Sequence, residues 1–156
     1  MIDRILSISR KSFSEIVKLR CELHQYPELA FEEFETGKII GRDLEKLNMP
    51  AKNSIGKTGL IGTLKGEPRT KKQELRTSSK VVALRADMDA LPITEKSGVS
   101  SMSNNPGKMH ACGHDVHVAM LIGAAKILSE MKAEVNGTVK FLFQQSEEKI
   151  QAAHRL

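Results

Sequence analysis

The sequence predicts an α/β fold in which a sheet is covered by helices on both faces. Three observations carry this expectation. Segments of helical and strand periodicity interleave from start to end; Lys80 to Ala86 (KVVALRA) and Thr138 to Gln144 (TVKFLFQ) are apolar runs of strand length; and ligand-type side chains follow each of those runs. At 156 residues the chain suits one domain. A chain of that size buries roughly 68–70% of the surface its unfolded form exposes, so a core forms without disulfide or metal staples.

In chain order, Phe13, Ile16, Val17, Leu19 and Leu23 recur at mostly helical spacings and predict an amphipathic helix over 12–24, interrupted by Pro27. A second helix is expected from about Glu28 or Ala30 to Leu47, with Phe31, Phe34, Ile39, Ile40, Leu44 and Leu47 as its apolar set and acids in its early part. Asn48, Pro50 and Asn53 close it. Gly59 to Leu64 (GLIGTL) reads as a strand, and KVVALRA reads as a second one buried on both faces. Between them the basic stretch Lys65 to Lys80 reads as a solvated loop. An irregular segment, Ile93 to Met109, precedes a largely buried helix over 116–131; Asn136-Gly137 then turns the chain into TVKFLFQ. No internal repeat is visible.

Composition excludes several classes. With 40% hydrophobic and 28% charged residues and no long low-complexity tract, disordered and fibrous readings fail. The net charge of +5 sits largely in the Lys65 to Lys80 stretch, and five Phe, one Tyr and no Trp leave few stacking platforms, so no nucleic-acid partner is expected. No run approaches the roughly 20 apolar residues of a membrane span, so no membrane partner is expected either. Cys21 and Cys112 form no disulfide framework and no signal peptide precedes them, which points to a reducing, cytoplasmic setting. Ala51 to Thr58 (AKNSIGKT) fits a loose phosphate-loop pattern. A true phosphate loop follows a buried strand and opens a helix, whereas this one follows a helix end and runs into a strand signal, so the nucleotide reading is set aside.

Three segments concentrate the chemistry. In LRADMDALP (84–92), Asp87 and Asp89 lie just past a strand end, two residues apart, and extended backbone points both to one side; turn capping explains such a pair equally well. In MHACGHDVH (109–117), His110, Cys112 and His114 alternate along an extended stretch, Asp115 sits where a helix N-cap is expected, and His117 lies in the first turn. Three of the five histidines therefore surround one of the two cysteines, and imidazole with thiolate suits a borderline-soft ion such as zinc. Cys21 lacks such neighbours, and His24 and His154 stand alone. In FLFQQSEE (141–148), Glu147 and Glu148 follow an apolar strand and point in different directions, so one can bind metal while the other serves a bound water as general base. Sites in open α/β sheets form at the carboxyl ends of strands, where all three segments can converge.

These segments, with the earlier LRCELHQYPELAFEEFETGK, resemble the N-terminal catalytic half of the zinc-dependent amidohydrolase family of hippurate hydrolases, indole-acetyl-amino-acid hydrolases, related aminoacylases and a thermostable carboxypeptidase. The resemblance covers about residues 15–148 and implies a three-layer α/β/α mixed sheet of a metallopeptidase catalytic domain. It also implies that Cys112 is a metal-bridging thiolate, that His114 and Glu148 are ligands and that Glu147 is the general acid/base. Asp87 and Asp89 would orient ligands or polarise the site, Asp89 being counted with the catalytic residues. The cofactor implied is Zn2+, with Mn2+ or Co2+ as alternatives, two ions in the complete site. The reaction implied is hydrolysis of an N-acyl amino acid or a C-terminal peptide bond.

The family pattern usually continues FQPAEEG, whereas Gln145, Ser146 and Lys149 stand here and the sequence ends in EEKIQAAHRL. The expectation is therefore a truncated catalytic domain over 1–148 with an atypical tail over 149–156 and no lid domain, lacking a further ligand His and a distal His. His154 matches no family ligand. An inactive remnant that at most binds metal or a complementary chain is the alternative to an active fragment. Apolar strands without neighbours predict self-association.

Overall fold

A computed structural model describes residues 1–67 and 80–149 of the chain. Helix α1 runs Ile2–Gln25 and helix α2 Phe34–Lys46. Strands β1 (Ala51–Ile55) and β2 (Gly59–Lys65) follow, then β3 (Val81–Asp87), helix α3 (His114–Glu130), a 3-10 turn at Lys132–Glu134 and strand β4 (Thr138–Gln144). The basic loop lies largely outside the described residues, as do residues 150–156 with His154. Among the described residues no helix is long and apolar enough to cross a membrane.

The sheet is mixed, in the order β1-β2-β4-β3. β1 and β2 form an antiparallel hairpin, β2 pairs antiparallel with β4, and β3 runs parallel to β4 from Val81↔Thr138 to Asp87↔Gln144. Two adjacent parallel strands need a crossover, and α3 supplies it. Because β3 and β4 share direction and register, their carboxyl ends lie side by side. The backbone N–H of Met88 extends the pairing with a 2.9 Å bond to the carbonyl of Gln144.

One core joins the helices to one face of this sheet. Leu60 and Leu64 on β2, Phe141 and Phe143 on β4 and Ala86 on β3 alternate with outward residues, as the two-residue period requires. Ile40 and Leu44 of α2, with Val118, Leu121, Ile122 and Ala125 of α3, pack over them, and Leu19 and Leu23 of α1 reach the same cluster. Of the three layers expected, the described residues supply the sheet and the helices over one face. The residues of the opposite face, Thr63, Leu142, Lys140 and Arg85 among them, are half-buried or exposed.

Three expectations change. The first helix begins ten residues earlier than predicted, and its buried stripe is Ile8, Ser12, Leu19 and Leu23; Phe13 and Val17 face away from it and are exposed. The second begins late, at Phe34, because Phe31 takes a positive φ of 66° and Leu29 bridges to Ala90 instead of winding into a helix. Strand β3 is not buried on both faces: Val81 is 56% and Val82 58% exposed. Its only partner among the described residues is β4, so it forms an edge, and α3 covers only its carboxyl end.

The phosphate-loop candidate is a hairpin. Gly56, Lys57 and Thr58 make the turn between β1 and β2, with φ of 68° at Gly56 and no helix after it. Thr58 donates its hydroxyl hydrogen bond to buried Glu33 at 2.6 Å, and Ser146 donates its N–H to the other Glu33 oxygen at 2.8 Å. Burial pushes the Glu33 carboxyl up, against these two bonds. The hairpin, the start of α2 and the turn after β4 are thereby tied together. Gly59 is required at this junction, since a Cβ there would stand 2.7 Å from the backbone carbonyl oxygen of Ile55.

Candidate metal centre

The segment after β3 is pinned on two sides. Ala90 donates to the carbonyl of Glu28 at 2.8 Å, while Leu91 and Met109 exchange N–H···O bonds of 3.0 Å each, laying the histidine-rich segment beside Asp89. The chain then bends at Cys112 and enters α3 through Gly113, whose φ is 96°. Gly113 is the N-cap, so the expected cap Asp115 lies inside the first turn and makes no capping bond. No atom lies within 4 Å of a Cβ built at Gly113. Gly113→Ala is thus expected to cost about 1–2 kcal/mol, from left-handed backbone strain alone, as measured by urea unfolding.

Asp89 organises the centre. It is 1% exposed, and its two carboxylate oxygens accept the N–H groups of Glu147 at 2.9 Å and Glu148 at 3.0 Å. Its backbone carbonyl accepts Nδ1–H of His114 at 2.9 Å, and Oδ1 lies 3.5 Å from the same nitrogen. Burial pushes the Asp89 carboxyl up, but His114 and the two N–H groups outweigh it and hold the group below the ordinary Asp range. With Nδ1 engaged, His114 presents Nε2 to the two glutamates, 3.9 Å from Glu147 Oε2 and 3.9 Å from Glu148 Oε1. This fixed tautomer is how a carbonyl or carboxylate orients an imidazole ligand.

Cys112, His114 and Glu148 each bring one ligand atom within 4.8 Å of the others. A thiol, an imidazole and a carboxylate at that spacing could hold a divalent ion after small side-chain movements. Cys112 and Glu148 are exposed and His114 is buried, so the cluster opens to solvent on one side. Burial and then the neighbouring Glu148, Glu147 and Asp87 push the Cys112 thiol up, and the Asp89 bond first, against burial, raises His114 to about 8. A cation must displace protons from both groups.

Opposite pH dependences result. In the metal-free protein His114 has a folded value above its ordinary 6.5, so its contribution is complete below about pH 6.5 and lost as pH rises through 8. The expected loss is about 2 kcal/mol, read as urea-unfolding stability at pH 6 against pH 9 in a chelator. Zinc affinity should instead rise over the same interval. A pH-independent affinity would contradict the arrangement.

The remaining histidines divide differently from the sequence pattern. The stretch 110–114 is bent, so His110 does not join Cys112 and His114. It is buried, has no hydrogen-bond partner among the described residues at either ring nitrogen, and is pushed down to about 4 chiefly by burial. It is therefore neutral at ordinary pH. His24 does not stand alone: Nδ1 lies 2.7 Å from Asp115 Oδ2 and Nε2 lies 3.2 Å from Glu95 Oε1. Nε of Arg20, one turn earlier, pairs with the same Asp115 oxygen at 2.9 Å. Glu95 also accepts from the Ser97 hydroxyl and from the Ser103 N–H at 2.6 Å, which hold it near 2. This network fastens α1 and the 93–109 segment to the first turn of α3. Its partners are 71 and 91 residues from His24, so no local spacing could reveal them.

An open α/β sheet with thiol, imidazole and carboxylate groups gathered past the carboxyl ends of two parallel strands defines the class: a domain built around a ligand-type cluster at its strand ends. Residues 83–154 match the family model of Peptidase family M20/M25/M40. The IAA-amino acid hydrolase ILR1-like 5 of Arabidopsis thaliana is 43% identical over 145 residues, covering 92% of this chain and 31% of that protein. The N-acetylcysteine deacetylase of Bacillus subtilis is 43% identical over 140 residues, covering 86% of this chain and 33% of that one. The crystal structure of the Bacillus subtilis YXEP protein, described as a dinuclear metal binding peptidase, superposes with a TM-score of 0.84 at 40% identity, covering 94% of this chain and 39% of that one. The chain belongs to the M20 peptidase family and spans about a third of the length of the curated relatives it matches.

Proposed function

We propose that this chain carries part of the active site of a metal-dependent amidohydrolase acting on N-acyl amino acids or C-terminal peptide bonds. The observation that carries the reading is the convergence of Cys112, His114 and Glu148 within 4.8 Å, beside a second glutamate. The names of the similar proteins, an amino-acid conjugate hydrolase and a deacetylase, support the substrate class. Cys112, His114 and Glu148 would hold the ion, with zinc favoured by the thiolate and imidazole donors. When bound, the ion polarises the carbonyl and lowers the pKa of a water.

The chain's own residues do the rest. Asp89 fixes the backbone of Glu147 and Glu148 and the tautomer of His114, so ligand and base keep one geometry. Glu147, 41% exposed at its side chain and 3.9 Å from His114 Nε2, takes the proton of the attacking water and returns it to the leaving amine. Residues 1–148 form one unit of the catalytic domain. A reducing, cytoplasmic setting suits a site thiol that, like Cys21, is unpaired. The apolar edge of β3 supports self-association.

The test is hydrolysis of a panel of N-acetyl and N-benzoyl amino acids by the purified chain with zinc, manganese or cobalt. Turnover lost in Glu147→Gln, with metal affinity retained, is the expected result. Turnover indifferent to Glu147 would overturn its role as base, and no turnover by the metal-loaded chain would reduce the reading to metal binding.

A further inference from the structure

His114 belongs to a second group as well, and with Nδ1 given to the Asp89 carbonyl, Nε2 is the nitrogen it has left to offer. Asp87, His114 and His117 also bring ligand atoms within 4.8 Å of one another. His117 follows His114 by three residues on α3, which places both rings on one helix face; their centroids are 5.5 Å apart and tilted by 30°. Nδ1 of His117 lies 3.8 Å from Oδ2 of Asp87.

Asp87 differs from Asp89 in what it lacks. Both are buried at the end of β3, yet Asp89 accepts two backbone N–H groups while Oδ1 of Asp87 is buried without a hydrogen bond among the described residues. Among the described residues it pairs with Arg85, at 3.4 Å from Oδ1, and that side chain is half exposed and donates to Gln144 Oε1 at 2.8 Å. A carboxylate removed from water without hydrogen bonds is costly unless a cation compensates it. His117 is half exposed, and a groove of about 440 Å³ beside it and Asp87, floored by Leu84, Met120 and Leu121, gives an ion and its waters access.

We propose that Asp87, His114 and His117 form a second divalent-cation position that excludes occupation of the Cys112 position. The single Nε2 lone pair of His114 can serve one ion at a time. The proposal depends on the amidohydrolase reading only for His114 as a ligand. The two positions differ in donor chemistry: thiolate, imidazole and carboxylate on one side, two imidazoles and a carboxylate on the other. Lacking the soft thiolate, the second favours manganese or nickel over zinc more than the first does.

Cobalt(II) separates them, because only thiolate ligation gives an intense near-ultraviolet charge-transfer absorption. The whole chain, the Cys112→Ser/Glu148→Gln variant and that variant with His117→Ala or Asp87→Asn added are titrated with Co2+ by calorimetry and absorption, with circular dichroism reporting the fold. The double variant is expected to bind one Co2+ without the thiolate band, and either further substitution to weaken this by roughly 10-fold or more. No Co2+ uptake by the folded double variant would overturn the proposal, as would uptake indifferent to both His117 and Asp87. Two ions bound to one unmodified chain would overturn the exclusion. A missing thiolate band in the unmodified chain would count against the Cys112 position alone, and so tells the two failures apart.

Discussion

Replacing Asp89 by Ala should destabilise the chain by about 3–5 kcal/mol and weaken metal binding by roughly 10–100-fold. The stability loss is large because one buried side chain serves three partners. Without it the N–H groups of Glu147 and Glu148 lose their acceptors, and the His114 ring loses the carboxylate that chiefly raises it to about 8. A domain with a total stability of about 5–15 kcal/mol feels such a loss as a large fraction of the whole. Since the Asp89 carboxyl is held below its ordinary range, its contribution is present at neutral pH and is lost only as pH falls through the lowered value. Urea unfolding of the two proteins at pH 7 measures the effect. A difference under about 1 kcal/mol, no more than one ordinary hydrogen bond, would show that Asp89 is not the organising residue.

Cys112→Ser should act in the opposite way, leaving stability almost unchanged and removing the thiolate donor. Cys112 is exposed and sits at a bend, so little packing is lost with its sulfur. Metal affinity should fall by more than about 100-fold, beyond the effect of removing a residue that only orients a ligand. Competition with a chromophoric chelator at pH 7.5 measures it. An unchanged affinity would move the ion away from Cys112. Together the two substitutions separate a residue that builds the centre from one that binds at it.

The sheet is legible in the sequence where apolar alternation is strong. Thr138–Gln144 carries Phe141 and Phe143 into the core and reads as a strand without help, and the direction of β3 follows from the crossover through α3. β1 is not legible, because AKNSI has little apolar periodicity and is a strand only through its pairing with β2. The edge position of β3 is equally hidden: Val81 and Val82 belong to an apolar run whether or not a neighbouring strand covers them.

At the site, residue type and proximity to strand ends pick out three short segments holding Asp87, Asp89, His110, Cys112, His114, His117, Glu147 and Glu148, and only the family resemblance singles out Asp89, Cys112, His114, Glu147 and Glu148 among them. The division of labour between the two aspartates and among the histidines cannot be read in this way. Asp89 holds backbone while Asp87 faces His117, and only the fold decides this. The network of Arg20, His24, Glu95 and Asp115 escapes sequence reading for a related reason, since it joins three distant segments through buried ion pairs. Its one sequence trace is the helical spacing of Arg20 and His24.

The metal centre is tested most directly by the absorption spectrum of the chain with one equivalent of Co2+, compared with that of Cys112→Ser. An intense thiolate-to-cobalt band in the near ultraviolet is expected for the first and its absence for the second. Cobalt bound to the unmodified chain with no such band, or a band that survives Cys112→Ser, would contradict the assignment of Cys112, His114 and Glu148 as the metal centre.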